Sequence, residues 1–255
     1  MNPGLTDRVA IVTGSGRGIG LAEARALAAE GAVLVINDLD ETNARTACEA
    51  LLAAGHRAEY HVGDVTDEAF VERMVSAVVD RHGRLDLLVN NAGPAVRPAV
   101  PVESMSTDQW EQMLRGHLRS TFLCSRAAIP PMRRGGFGRI VNTSSMNFTG
   151  GGRIGVAHYA AAKAGVAGFS ATLAKEVGPY GITANAIAPG YVETELIANF
   201  TPEMREMLRR QNPVGRTCKV EEVAAAVVYL CSEQAAFVNG ELLCLDGGRR
   251  DFYWG

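Results

Sequence analysis

Apolar positions in this chain follow two rhythms that alternate from end to end. Short unbroken runs, such as Arg8–Val12 (RVAIV) and Ala32–Ile36 (AVLVI), have the length and branched content of buried strands. Longer stretches place apolar residues every three or four positions, as helices do. The first strand runs into a glycine-rich turn, Thr13–Gly20 (TGSGRGIG). A helix follows from about Ile19 to Glu30, stopped by Gly31, and the second strand ends at Asn37 and Asp38. Strand, glycine turn, helix and strand within about thirty residues is a βαβ unit. The alternation continues with a helix over Glu41–Ala54, a strand Ala58–Val62 before Asp64, a helix over Asp67–Arg81, and a strand Leu85–Val89 before Asn90. A long helix over Thr107–Ile129 is predicted to end at Pro130–Pro131, where two backbone donors are missing. Next come a strand Arg139–Asn142, a helix His158–Gly178, a strand Thr183–Ala188, one or two short helices within Tyr191–Gln211, a helix Val220–Cys231 and a last strand Leu242–Leu245. About seven continuously apolar strands with helices between them predict one doubly wound α/β domain over residues 1–255, a parallel sheet covered on both faces.

Composition narrows the function classes. Hydrophobic residues make up 47% and charged residues 21%, ordinary globular usage, and the net charge is −3. Basic residues occur in pairs at most (Arg133–Arg134, Arg209–Arg210, Arg249–Arg250), which argues against nucleic acid as a partner. The apolar runs are too short for a membrane span, and the N-terminus leads straight into the glycine turn without a signal-peptide pattern. Five scattered cysteines without a Cys-x-x-Cys pair fit reduced thiols in a cytoplasm, and neither cysteines nor histidines have metal-ligand spacing. The expectation is a cytoplasmic protein with no metal.

Two stretches carry chemistry. In the first turn, Gly14, Gly18 and Gly20 allow a tight bend and close approach of backbone to a pyrophosphate, and the following helix start offers free N–H groups. Ser15, Arg17 and Ile19 lie in the same turn as candidate contacts. Asp38, at the end of the second strand, can accept hydrogen bonds from a ribose 2′-hydroxyl and would repel a 2′-phosphate, which favours NAD. Arg17 pulls toward NADP, since a guanidinium there could hold that phosphate. In the helix His158–Gly178, Tyr159 and Lys163 are four residues apart and share a face. A phenol ionises near pH ~10, and a nearby ammonium lowers that value, so the pair could move protons near neutrality. The same helix is nearly all small or apolar (Ala160–Ala162, Ala164–Gly168, Ala171), which predicts burial in the domain or against another subunit, with a homo-oligomer (dimer or tetramer) favoured.

TGSGRGIG at Thr13–Gly20, NNAG at Asn90–Gly93, Ser145, YAAAK at Tyr159–Lys163, PGYVET at Pro189–Thr194, PVGR at Pro213–Arg216 and LDGG at Leu245–Gly248 together resemble the short-chain dehydrogenases/reductases over essentially the whole chain. The resemblance implies a Rossmann-type fold with seven parallel strands and one nicotinamide dinucleotide per subunit. It implies Asp64 and Val65 near the adenine, Asn91, Ala92 and Gly93 along a ribose, and Pro189, Gly190, Val192 and Thr194 beside the nicotinamide. It further implies Tyr159 as acid/base, Lys163 on the nicotinamide ribose, and Ser145 on the substrate oxygen, with tyrosinate accepting the hydroxyl proton during alcohol oxidation.

Two departures stand out. Seven residues past Trp110, where the family usually carries an asparagine, this chain has His117. Its main-chain carbonyl could keep the asparagine's role of holding a water near the lysine, its imidazole could join a proton relay, or it could be a packed histidine. Ser145 and Tyr159 are separated by thirteen residues, one more than is usual, so Ser144 is the fallback if the register shifts. Met146 and Phe148 are candidate pocket walls and Arg153 a candidate anion contact. Ile197, Phe200, Met204, Met207 and Leu208 form an apolar face within 191–211 suited to a substrate lid. The chain is thus expected to transfer hydride between NAD and a hydrophobic secondary alcohol or ketone as its small-molecule substrate. One alternative is an NADPH-dependent 3-oxoacyl-thioester reductase, for which Arg97, Arg133, Arg134, Arg209 and Arg210 could meet an acidic carrier. A second is a non-catalytic nucleotide-sensing or scaffold protein.

Overall fold

The computed structural model describes residues 3–96, 98–149 and 154–248. The first half comprises β1 (Val9–Thr13), α1 (Gly18–Ala29), β2 (Val33–Asp38), α2 (Glu41–Ala53), β3 (Arg57–Val62), α3 (Glu68–His82) and β4 (Leu87–Asn90). The second comprises α4 (Thr107–Leu114), α5 (Ser120–Gly135), β5 (Gly138–Thr143), α6 (Ala157–Val177), β6 (Ile182–Pro189), α7 (Glu195–Ala198), α8 (Pro202–Arg210), α9 (Val220–Cys231) and β7 (Leu242–Leu245). All seven strands are parallel, in the order β3-β2-β1-β4-β5-β6-β7.

The strands owe their burial to the alternation of side chains across the pleat. On β1, Ala10 and Val12 join a core with Leu27 of α1, Leu51 of α2 and Val227 of α9, while Val9 and Ile11 join another with Met74 of α3, Leu123 of α5 and Leu173 of α6. Edge strand β3 departs from the expected continuous apolar pattern. Its Arg57, Tyr60 and Val62 are exposed, and Glu59 pairs with Arg81 at 2.9 Å, because one side of that strand meets solvent. The chain order reverses between β1 and β4, so a crevice opens at the carboxyl ends of these two neighbours.

The helix predicted over Thr107–Ile129 differs in two ways. A capping box of Ser106 and Gln109 starts it, but a π turn at Arg115–Arg119 divides α4 from α5. It also passes through Pro130 and Pro131 and stops only at Gly136, in the left-handed region at φ +63°. A proline inside a helix costs about 3 kcal/mol or more. Full burial of a side chain such as Met132 returns about 1.5–3 kcal/mol, and Pro131 is buried beside it. Gly138 leaves the room, since a Cβ there would lie 2.7 Å from the Met132 sulfur.

Glu23 of α1 lies fully buried between α1 and α9, and neither carboxyl oxygen has a hydrogen-bond partner among the described residues. Burial pushes its pKa from 4.5 up to about 8. The folded protein therefore holds a proton that the unfolded chain releases between those values. The contribution of this group to stability is fully present below about pH 4.5 and is lost as pH rises toward 8. Glu23→Leu should raise the melting temperature at about pH 9 by roughly 5 °C more than at about pH 5. Equal gains at both pH values, by calorimetry, would show that this carboxyl does not titrate as described.

Candidate active site

The crevice is assembled by close backbone approach. A Cβ on Gly14 would lie 2.9 Å from Ala92 Cα, and one on Gly20 would lie 2.5 Å from both the Asn91 amide nitrogen and the Gly14 oxygen. Asn91 spends its side-chain amide on the carbonyls of Thr13 (3.1 Å) and Gly14 (3.0 Å). The N–H groups of Asn91 and Ala92 both donate to the Thr13 hydroxyl at 3.1 Å. Ser15 is fully buried beneath the turn. Its hydroxyl donates to Val12 O at 2.6 Å and its N–H to Asn37 O at 2.8 Å, so it shapes the turn rather than facing the crevice. Gly18 takes φ +59° at the start of α1, and Ile19 lines the crevice.

Asp38 is held in place at the adenosine end expected for a dinucleotide. One oxygen accepts from Gly16 N–H and the other from Asp40 N–H, each at 3.0 Å. A Cβ on Gly16 would lie 2.6 Å from that carboxylate. Exposed Arg17 reaches across to Glu195, 3.8 Å away, instead of toward Asp38. Asp64 follows β3 and accepts from Thr66 N–H at 2.8 Å, while Val65 is buried in the core beneath α3.

A cavity of about 520 Å³ opens beyond this cradle. Asn91, Gly93, Pro189, Gly190, Val192 and Thr194 border it, and Ser145, Tyr159, Lys163 and His117 also line it. The Ser145 side chain stands beside the Tyr159 phenol and acts to lower its pKa. The Ser144 hydroxyl instead donates to Lys163 O at 2.8 Å, so Ser145 is the serine that faces Tyr159. Met146 lines the cavity and Phe148 does not; Arg97 and Arg153 lie outside the described residues. All five apolar lid candidates, Ile197, Phe200, Met204, Met207 and Leu208, line it. Sequence reasoning missed Asn147, whose N–H and amide nitrogen approach Ser145 Oγ at 3.3 and 3.4 Å, because an asparagine in an irregular loop carries no periodic signal.

The electrostatics differ from the expected lysine-tuned phenol. Lys163 is buried, and its ammonium donates to Thr143 O at 2.5 Å, with Nζ 5.7 Å from the Tyr159 ring centre. Burial lowers the Lys163 pKa to about 7. Tyr159 is itself pushed above its ordinary value, by burial first and by Tyr191 as well, against the lowering effect of Ser145. The correction is physical: four-residue spacing places two side chains on one face, but removal from water weakens both charged forms. His117 is held well below its ordinary value by burial and by the Lys163 charge, so it is neutral near pH 7.

A glycine-lined crevice where the strand order reverses, a carboxylate fixed at the end of β2 and a Ser–Tyr–Lys cluster in the cavity beyond are the parts a nicotinamide-dependent oxidoreductase requires. The family description enoyl-(acyl carrier protein) reductase matches residues 14–250. The chain is 40% identical over 251 residues to cis-4-hydroxycyclohexanecarboxylate dehydrogenase of Sinomonas cyclohexanicum, covering 97% of this chain and 98% of that one. It is 37% identical over 244 residues to a 3-oxoacyl-(acyl-carrier-protein) reductase of Vibrio cholerae, covering 96% and 98%. Its fold superposes at a TM-score of 0.92, with 34% identity and coverage of 99% and 100%, on a crystal structure described as a candidate gluconate dehydrogenase from Agrobacterium tumefaciens. The chain belongs to the short-chain dehydrogenase/reductase family and is an NAD(P)-dependent oxidoreductase.

Gly20→Ala tests the cradle. The added methyl meets Asn91 and Gly14 and should weaken dinucleotide binding about tenfold or more, with circular dichroism unchanged. Wild-type affinity by fluorescence titration would show that this close approach is not needed.

Proposed function

We propose that this protein oxidises a hydrophobic secondary alcohol, or reduces the matching ketone, with NAD(H) as cofactor. The observation that carries the reading is the 520 Å³ cavity lined by Ser145 and Tyr159 together with apolar Met146, Val156, Phe200, Met204 and Met207. Such walls suit a carbon skeleton, and the two hydroxyls suit one oxygen on it. The similarity to a dehydrogenase named for a hydroxylated cyclohexane acid favours alicyclic alcohols as first candidates.

The cradle fits a dinucleotide: glycine at 14, 16 and 20 lets the turn close on Ala92, Asp38 and Asn91, and a Cβ on Gly18 would meet nothing nearer than Thr194 at 4.0 Å, so open space lies beside the start of α1. Gly14, Gly18, Gly20 and Ile19 would border the pyrophosphate, and Asp38 the adenosine ribose. Asp64 and Val65 would lie near the adenine. Ala92, Gly93, Pro189, Gly190, Val192 and Thr194 would border the nicotinamide half. Bound there, the cofactor supplies the hydride acceptor or donor. Tyr159 would take the proton from the substrate hydroxyl during oxidation and return it during reduction. Ser145 would donate a hydrogen bond to the same oxygen, oriented by Asn147. Lys163 would hold the nicotinamide ribose, and its charge, where retained, favours tyrosinate. The segment 191–211 would close over the substrate and exclude water.

The Asp38 carboxylate, fixed by two N–H groups, supports NAD over NADP, and the pairing of Arg17 with Glu195 supports the same choice. For the thioester alternative, the candidate basic patch is partly spent: Arg209 and Arg210 both pair with Glu206, at 2.6 and 2.9 Å. The outer face of α6 leaves Ala164, Gly168 and Ala171 exposed, which supports the expected subunit contact.

Tyr159→Phe should lower kcat by about 10²–10⁴-fold with NADH still bound; near-normal turnover on a panel of cyclic and acyclic secondary alcohols would refute the proton-transfer role. Asp38→Ser should bring NADPH affinity to within about tenfold of NADH. Tighter wild-type binding of NADPH than NADH, by titration, would overturn the cofactor assignment.

A further inference from the structure

The π turn at Arg115–Arg119 carries His117 into the protein, where it is 5% exposed. Its Nε2 lies 3.2 Å from Pro94 O. A carbonyl only accepts, so Nε2 holds the hydrogen and donates it, and Nδ1 is left as a bare acceptor. Nδ1 is buried and has no hydrogen-bond partner among the described residues. It packs instead against Gly93: a Cβ on that glycine would lie 2.0 Å from Nδ1 and 2.1 Å from Cε1. The contact is reciprocal. A Cβ on Gly116 would lie 2.4 Å from Pro94 Cδ. Two adjacent pairs, Gly93–Pro94 and Gly116–His117, are therefore interlocked, each glycine making room for the other pair's ring.

This interlock holds one end of a short stretch whose other end is already fixed. Asn91 ties to Thr13 and Gly14 on the turn side, and Pro94 ties to His117 on the helix side. The stretch between them borders the crevice. The titratable groups that face the imidazole are Tyr159, Lys163 and His158, and none of them is hydrogen-bonded to it among the described residues. The Tyr159 ring meets it edge-on at 77°, with centres 5.1 Å apart, and Lys163 donates to Thr143 O. His158 is also buried, with its own Nδ1 unpartnered among the described residues. The His117 carbonyl is engaged as well, accepting from the Thr121 hydroxyl at 2.7 Å, with the Ser120 hydroxyl 3.2 Å away.

We propose that His117 is a positioning residue: its neutral imidazole donates to Pro94 O and fixes residues 91–94 where they border the cofactor, and it carries no proton in the reaction. The inference rests on the reading of the crevice as a dinucleotide site. It predicts an unusual order among variants. His117→Asn restores the residue usual in the family, but its amide is too short to reach Pro94 O. His117→Gln places an amide nitrogen near the Nε2 position and keeps the donor.

The test measures NADH affinity of wild type, His117→Asn and His117→Gln, the pH dependence of kcat/KM, and the tautomer of His117 by nitrogen-15 NMR of the unliganded protein. The expected result is about tenfold weaker NADH binding for Asn, recovery to within about threefold for Gln, and the same pH limbs in all three. The NMR spectrum should show an uncharged, Nε2-protonated ring across neutral pH. Wild-type affinity in the Asn variant, a lost pH limb in the Gln variant, or a ring that charges near pH ~6.5 would each overturn the inference. The tautomer is read without cofactor or substrate, so it is separable from the proposed activity. Wild-type protein that binds neither NADH nor NADPH overturns both readings, whereas NADH binding by wild type and both variants with equal affinity overturns only this one.

Discussion

The site hangs on the hydrogen bonds that join β1 to β4 across the point where strand order reverses. Thr13 ends β1 with its hydroxyl under two N–H groups, those of Asn91 and Ala92. Asn91 returns both amide hydrogens to Thr13 and Gly14. Two parallel strands alone would splay at their carboxyl ends, because the ladder stops there. These four bonds continue the connection into the loops, so the glycine turn and the stretch leading to Pro94 face each other at a fixed distance. Glycine at positions 14 and 20 then follows from packing, since any Cβ would collide with the partner loop.

The Ser145, Tyr159 and Lys163 side chains are supported from below by a buried polar chain. Asn90 donates to Ser125 and Asn142, and Asn142 donates to Ser170 of α6. Two turns earlier on the same helix, Lys163 reaches Thr143 O, and its own carbonyl accepts from Ser144. Left unpaired, such groups would cost about 1–3 kcal/mol each. Paired, they dictate how far α6 can slide along β5, and hence where Tyr159 stands relative to Ser145. The register of a helix against a sheet is otherwise weakly specified by apolar contacts, which are non-directional.

Much of this was legible in the chain. Unbroken apolar runs located the strands, and the alternation with helices gave the parallel sheet. The glycine turn, Asp38, Ser145, Tyr159 and Lys163 were legible because each depends on local spacing or on its place at a strand end. Other features were hidden for a definite reason. The helix through Pro130 and Pro131 survives because Met132 fills a space that Gly138, on a strand, leaves open. The support of Ser145 by Asn147 lies in an irregular loop. The positions of His117 and Pro94 depend on a π turn, and no repeat in the sequence marks it.

The sequence by itself determined which residues form the sheet, which turn joins β1 to α1 and which hydroxyl-bearing residues line the cavity, because these follow from period, turn chemistry and strand-end position. Only the tertiary structure decided the charge states and the fine placement. Lys163 near a pKa of about 7, a phenol raised rather than lowered, and a neutral imidazole wedged on Gly93 all arise from burial by segments distant in the chain. Dehydration acts through everything that surrounds a group, and a linear order of residues does not state what surrounds it.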